Sequence, residues 1–139
     1  IDGVETDFQL VGELDSVNPS ILHTLISAGV VPVIACLTWS DEHGYLNINA
    51  DTFAIAIANA LSADELVFLM EPEAVLDAQK SPISRLTKTD FLDGVSQGWI
   101  TDGMRPKLET GFNALESGIK SVTLTNPAGL AAQKGTTLA

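Results

Sequence analysis

Two short polar clusters in this sequence could carry chemistry, and each stands where an apolar run passes into a helix. One spans residues 102–107 (DGMRPK) and the other residues 47–51 (NINAD). The start of a helix has unpaired N–H groups and a partial positive charge, so it binds phosphate and carboxylate groups well. A lysine fixed in such a turn can follow an anion through a reaction. The combination indicates phosphoryl transfer.

The upstream cluster contains Asn47, Asn49 and Asp51. Their spacing predicts that all three point to one side of an extended segment, with Asp51 opening the next helix. Two amides can hold a substrate carboxylate, and a carboxylate can orient a lysine ammonium group. The alternative is an asparagine-rich turn followed by an ordinary aspartate helix cap.

The downstream cluster contains Lys107, which directly follows Pro106 in the predicted first turn of a helix. A cation is disfavoured at that position unless an anion is present, so Lys107 indicates an anionic ligand. The alternative is a solvated surface lysine beside Asp102 and Glu109.

A third candidate is the loop formed by residues 70–77 (MEPEAVLD), which follows an apolar strand. Such loops can line the adenine and ribose of a nucleotide, although a purely structural loop is the alternative. Glu71 and Glu73 are poor neighbours for phosphate. His23 and His43 have no partner at metal-ligand spacing, so we predict no metal site built from the protein's own side chains. The sequence has neither GxxxxGK[ST] nor GxGxxG after a strand, which removes the main support for P-loop and dinucleotide-binding proteins.

Composition predicts one globular domain over residues 1–139, since 45% of the residues are hydrophobic and 18% are charged. A net charge of −11 with only seven basic residues disfavours nucleic acid as a partner. Cys36 lies in an apolar run and suggests a buried, inert thiol in a reducing compartment, so we expect a cytoplasmic protein. We expect no membrane partner, because Gly29 and Pro32 interrupt the longest apolar stretch.

Predicted strands and helices alternate, which favours an α/β protein with a mainly parallel, helix-covered sheet. Binding sites in such sheets gather at the carboxyl ends of strands, where the two clusters would lie. The pattern predicts helices from an Asn18-Pro19 start to Gly29, over 51–61 as a buried helix, from a Thr89 cap to Gly98, and from about Met104 to Gly118. It predicts strands at 30–37, 45–48 as part of a hairpin, 65–70 and 121–124, a loop at 80–85, and a short helix or turn before 136–138.

Several stretches stand in the order found in the amino acid kinase family, among them residues 30–34 (VVPVI), 46–51 (LNINAD), 98–107 (GWITDGMRPK) and 135–136 (GT). Within that family the sequence most resembles the acetylglutamate kinases, over nearly its whole length. The resemblance implies a three-layer αβα sandwich in which the C-terminal half binds ATP and the N-terminal half supplies most of the amino-acid lid. The lysine-bearing first strand and glycine-rich loops of the family do not occur in these residues, so we expect the N-terminal part of the fold to be absent. Met70, Glu71 and Ala74 stand where the family has Ser-Asp or Thr-Asp and a glycine.

The resemblance also implies roles for individual residues. Asn47 would hold the α-carboxylate of an acylglutamate and Asn49 would line the same pocket. Asp51 would organise catalytic lysines, and Lys107 would stabilise the transferring phosphoryl group. The implied nucleotide-binding residues are Met70, Glu71, Leu76, Thr101, Asp102, Gly103 and Met104. ATP as co-substrate, Mg²⁺ and a homo-oligomeric state are further implications.

Three functions compete on this evidence. The resemblance favours an acylglutamate kinase acting on N-acetyl-L-glutamate, with N-succinylglutamate as an alternative substrate. A second possibility is another amino acid kinase, acting on aspartate, glutamate or carbamate. A third is a catalytically silent module that senses a nucleotide or an amino acid.

Overall fold

A computed structural model describes residues 10–101 and 103–139, which belong to two compact units. The N-terminal unit ends at Leu61 and the C-terminal unit begins at Ser62. The prediction of one domain over the whole chain stays a prediction. The predicted α/β class is confirmed, because helices and strands alternate along the chain and the larger sheet is mainly parallel. No helix among the described residues combines the length and the apolar character needed to cross a membrane.

From residue 10 onward, the N-terminal unit shows two helices and one hairpin. Helix α1 spans Ser20–Ser27, strand β1 Leu37–Ser40, strand β2 Gly44–Asn47 and helix α2 Ala50–Ala60. The predicted hairpin is confirmed, since β1 and β2 pair antiparallel. Gly44 has a φ of 75°, a conformation that glycine adopts without steric cost, and it lets the chain reverse there.

The strand predicted at residues 30–37 is wrong. Residues 30–35 form no strand, and the exposed fractions of Val31 and Val33 are 84% and 97%. The apolar run was interpreted as a strand covered on both faces, but β1 begins only at Leu37, where Asn47 is its pairing partner. Helix α2 was predicted to be buried, yet Ala58 is its only buried residue. Apolar composition alone therefore did not predict which surfaces of this unit are covered.

The described part of the C-terminal unit, which omits residue 102, contains four strands and three helices. In chain order these are β3 Leu66–Leu69, β4 Arg85–Leu86, α3 Lys88–Gln97, α4 Arg105–Glu116, β5 Val122–Thr125, α5 Pro127–Ala131 and β6 Thr136–Leu138. The strands are ordered β3-β5-β6-β4. β3 pairs parallel with β5 and β4 pairs parallel with β6, whereas β5 and β6 are antiparallel. The connection from β5 to β6 is too short for the crossover that a parallel pair needs.

Helix α4 packs against the sheet of the C-terminal unit. Leu108 and Phe112 on the helix, and Val122 and Leu138 on the strands, are at most 3% exposed. Gly111 faces the same strands, and a Cβ added there would lie 2.5 Å from Leu138 Cδ1. The missing side chain therefore lets the helix backbone approach the sheet closely.

Two boundaries around α3 differ from the prediction. The helix is capped by Thr87 rather than Thr89: Thr87 Oγ1 accepts from the Asp90 N–H at 3.1 Å, and Asp90 Oδ2 accepts from the Thr87 N–H at 3.2 Å. This reciprocal pair satisfies two backbone donors at the helix start. The predicted loop at 80–85 runs into strand β4, whose two residues pair with β6. Gly98 ends the helix as predicted, with a φ of 78°.

Candidate functional site

The upstream polar cluster, residues 47–51, belongs to the N-terminal unit and begins at the end of β2. The backbone N–H of Asn47 donates to the Leu10 carbonyl at 2.7 Å, and the Asn47 carbonyl accepts from the Gly12 N–H at 3.0 Å. Ile48, the next residue, is 2% exposed, and its N–H donates to the Cys36 carbonyl at 2.9 Å. The backbone on which the exposed Asn47 side chain stands is therefore well fixed.

Asn49 is the N-cap of helix α2. Its side-chain Oδ1 accepts from the backbone N–H groups of Asp51 and Thr52, both at 3.1 Å. The expectation that Asn47, Asn49 and Asp51 share one extended segment is wrong, because β2 ends at Asn47 and α2 begins at Ala50. The cap is Asn49 rather than Asp51, which lies in the first turn, half-buried. Since the carbonyl oxygen of Asn49 already accepts bonds from the helix, its Nδ2 is the group that suits a ligand oxygen.

Lys107 is the central residue of the candidate site in the C-terminal unit. It lies in the first turn of α4, and its Nζ is 5.2 Å from the ring centroid of Phe68 on β3. This distance is within the range of a cation–π interaction. Phe68 is 4% exposed, so a buried ring holds the ammonium group beside the carboxyl-terminal half of β3. Sequence reasoning missed Phe68, since one aromatic residue in an apolar strand has no feature that separates it from ordinary core.

The N-terminus of α4 is electropositive. Among the residues that the structure describes, no side chain caps it, and its first turn contains Arg105 and Lys107 but no acidic residue. The backbone N–H groups of Met104 and Arg105 donate to the Thr101 carbonyl at 3.0 and 2.9 Å. The Arg105 side chain pairs with Glu109 at 2.8 Å, one helical turn further on. An anion at this helix start would face the partial positive charge of the helix and the charge of Lys107.

Gly103 and Met104 form the turn that leads into α4, and Thr101 is exposed just before it. The remaining residue of this predicted group, Asp102, lies outside the described residues.

The loop after β3 holds the other predicted nucleotide residues. The Met70 N–H donates to the Thr125 carbonyl at 2.7 Å, and Asn126 Nδ2 donates to the Glu71 carbonyl at 3.4 Å. Leu76 is 43% exposed and follows Val75, which is buried. Met70 is two residues beyond Phe68, so the structure brings the start of this loop and the start of α4 to the same end of β3.

The C-terminal unit contains a cleft of about 740 Å³. Thr123 and Thr137, which are paired across β5 and β6, line it together with Glu73 and Lys134. None of the individually predicted site residues lines this cleft, but Glu73 and Ala74 of the loop at 70–77 do.

The described residues contain no group of three or more histidine, cysteine, aspartate or glutamate side chains that could hold a metal ion. Mg²⁺ in phosphoryl-transfer sites is commonly held by substrate phosphates with one or two carboxylates. Within the predicted nucleotide-binding group, the exposed Glu71 is a described carboxylate whose chemistry fits such a limited role.

The sequence matches the model of the amino acid kinase family over residues 1–126. This chain belongs to the amino acid kinase family. The resemblance to this family, predicted from the order of several stretches along the chain, is thereby confirmed.

Curated relatives of this family member include two proteins named acetylglutamate kinase. The protein from Methanopyrus kandleri is 40% identical over 98% of this chain and 56% of its own length. The protein from Bacteroides thetaiotaomicron is 39% identical over 95% of this chain and 54% of its own length. The chain therefore spans about half the length of these relatives.

Solved structures of other proteins share this fold. N-acetylglutamate synthase from Neisseria gonorrhoeae, in complex with coenzyme A and L-arginine, covers the whole chain with a TM-score of 0.85 at 22% identity. The chain corresponds to 34% of that structure. Carbamate kinase from Giardia lamblia covers 86% of the chain with a TM-score of 0.62 at 17% identity. At these identities the likeness supports the fold alone.

Proposed function

We propose that the protein is an acetylglutamate kinase, which transfers the γ-phosphoryl group of ATP to the γ-carboxylate of N-acetyl-L-glutamate. The observation that carries this proposal is the identity of about 40% to proteins of that name over nearly all of the chain. The electropositive start of α4 supports it, because phosphoryl transfer depends mainly on positioning and charge neutralisation.

The proposed reaction requires no general base. A γ-carboxylate oxygen of the acylglutamate attacks the γ-phosphorus, and the bond from that phosphorus to the bridging oxygen of ADP breaks. The products are an acyl phosphate and ADP, and no proton has to leave the nucleophile because the carboxylate is already ionised at neutral pH. Amides and an ammonium group, without a histidine, are sufficient for this chemistry.

In this proposal Lys107 binds the γ-phosphoryl oxygens and stabilises the charge that develops on them. The ring of Phe68 holds its ammonium group from one side, which restricts the positions of Nζ. Restricting a catalytic group before the reaction lowers the reorganisation needed during it. Mg²⁺, carried by the phosphates of ATP, would supply further charge neutralisation.

On the amino-acid side, Asn47 binds the α-carboxylate through its Nδ2 group, Asn49 lines the same pocket, and Asp51 orients lysine ammonium groups. The capping bonds from Asn49 to α2 support this role, because they fix the orientation of its amide. On the nucleotide side, ATP lies against the loop after β3 and the turn before α4. The residues assigned to it are Met70, Glu71, Leu76, Thr101, Asp102, Gly103 and Met104.

The test uses the complete gene product that contains these residues, incubated with ATP, Mg²⁺ and one acceptor at a time. Hydroxylamine traps an acyl phosphate as a hydroxamate, which is measured beside ADP release. We expect product with N-acetyl-L-glutamate and much less with aspartate, glutamate or carbamate. Product with N-succinyl-L-glutamate alone would change the substrate within the same mechanism. ATP binding without product from any acceptor would contradict a kinase and favour a sensing module.

A further inference from the structure

The hydroxyl group of Thr136 joins the last strand of the chain to the loop that follows β3. Thr136 is fully buried at the start of β6. Its Oγ1 accepts from the Val75 N–H at 2.8 Å and donates to the Ile83 carbonyl at 2.6 Å. These partners are 61 and 53 residues away along the chain, so the contact is purely tertiary.

A third hydrogen bond closes a ring with the first two. The Ile83 N–H donates to the Val75 carbonyl at 2.8 Å. Val75 and Ile83 flank the loop of residues 76–82, so this ring ties both ends of the loop to each other and to β6.

Inside the loop, Asp77 Oδ1 accepts from the N–H groups of Gln79 and Ser81 at 2.9 and 2.8 Å. The Asp77 N–H also donates to the Ser81 carbonyl at 2.9 Å. The loop is thus bonded internally as well as at its base.

The position of Thr136 is itself fixed by its neighbours. Gly135 has a φ of 148°, and a Cβ built there would lie 2.7 Å from the Leu124 carbonyl oxygen. Thr125 Oγ1 donates to the Lys134 carbonyl at 2.7 Å. These contacts hold the turn into β6 close against β5, which directs the hydroxyl of Thr136 towards the loop.

We propose that Thr136 is a positioning residue for the nucleotide, acting through Val75 to set the place of Leu76. The inference rests on the proposed function, in which Leu76 contacts ATP. Val75 is 2% exposed whereas Leu76 is 43% exposed, so the buried bond is directly next to the side chain that faces outward. Without the hydroxyl, the Val75 N–H loses its buried acceptor and the base of the loop shifts to find another.

The test compares Thr136→Val, which removes the hydroxyl and keeps the shape, with Thr136→Ser, which keeps the hydroxyl. Thr137→Val on the same strand is the matched control, because Thr137 takes no part in the ring. Amide hydrogen exchange at Val75 reports the bond itself. The Kd for MgADP and the KM values for ATP and N-acetyl-L-glutamate report its effect on binding.

We expect Thr136→Val to speed exchange at Val75 and to raise the Kd for MgADP and the KM for ATP about tenfold, with the KM for N-acetyl-L-glutamate unchanged. Thr136→Ser and Thr137→Val should behave like the wild type. Unchanged hydrogen exchange at the Val75 amide would show that the Thr136 hydroxyl does not hold the base of the loop. Faster exchange with unchanged nucleotide affinity, or an equal change in both KM values, would leave Thr136 a purely structural residue and overturn the inference. A wild-type protein that binds no nucleotide would refute the proposed function, and this inference with it.

Discussion

Replacing Lys107 by methionine should separate catalysis from folding. The substitution keeps most of the side chain's length and apolar volume but removes the ammonium group that lies 5.2 Å from the centroid of Phe68. In the folded protein two effects of that charge oppose each other. A cation in the first turn of a helix costs about 0.3–1 kcal/mol, and a cation–π contact returns about 0.5–1 kcal/mol. These two effects largely cancel, so together they should change the free energy of unfolding by less than about 1 kcal/mol.

The effect on turnover should be much larger. Removing one group that stabilises charge in a transition state typically lowers kcat about 10²–10³-fold, or about 2.7–4 kcal/mol. The complete gene product would be assayed for ADP release with saturating ATP and N-acetyl-L-glutamate, and urea unfolding would be followed in parallel. We expect kcat to fall at least a hundredfold while the unfolding midpoint shifts little.

Lys88 provides a matched control, because its Nζ lies 5.2 Å from the ring centroid of Phe112 and 3.0 Å from Glu116 Oε1. Lys88→Met removes a cation–π contact of the same length at a position with no proposed catalytic role, so kcat should not change. A Lys107→Met protein that folds normally and keeps kcat within threefold of the wild type would refute the proposed role of this lysine.

Three further predictions concern stability. Leu108 is fully buried, so Leu108→Ala should lower the free energy of unfolding by about 2–5 kcal/mol in urea titrations; a loss below 1 kcal/mol would contradict the packing of α4. Hydrogen bonds from the Thr87 hydroxyl and backbone lower the pKa of Asp90, so its stabilising effect is present above the unfolded-state pKa of about 3.9 and is lost as the pH falls through the folded-state value. The stability gap between wild type and Asp90→Asn should thus shrink below about pH 4 in thermal melts, and a gap independent of pH would argue against the cap. Gly98→Ala meets no atom within 4 Å and should cost about 1 kcal/mol from backbone strain alone, whereas Gly135→Ala should cost more because its Cβ meets the Leu124 carbonyl; equal losses on unfolding would contradict this difference.

Local signals predicted the parts of the fold that depend on neighbouring residues. Gly98 ends α3 in the left-handed conformation, and the Asp41–Gly44 region turns the hairpin, as the sequence indicated. The cap of α3 was misplaced from Thr87 to Thr89, because either threonine could open the helix and only the first has Asp90 three residues later.

Tertiary pairing determined the parts that the sequence did not predict. Strand β4 has two residues and exists only because Thr137 and Leu138 pair with it. Residues 30–35 show the reverse case: a continuous apolar run predicted a covered strand, but no strand forms there. Intrinsic strand preference is weak compared with the pairing and packing that a strand finds.

The candidate site also has some features that the sequence predicted and others that depend on tertiary contacts. Its electropositive helix start was predictable, because the proline and lysine at the start of α4 are sequence neighbours. The contact between Lys107 and Phe68 and the ring closed by Thr136 join residues far apart along the chain. Asn49 carries both a helix-capping bond and a proposed substrate contact, and its sequence pattern fits both functions.

The high exposure of Val31 and Val33 has a consequence for the colloidal stability of this polypeptide. Exposed apolar side chains of this kind promote association between molecules, and at neutral pH the net charge of −11 opposes that association by mutual repulsion. That repulsion vanishes near the isoelectric point of about 4.2. Acidification should therefore cause aggregation, which is measured as turbidity, and Val33→Lys should delay it.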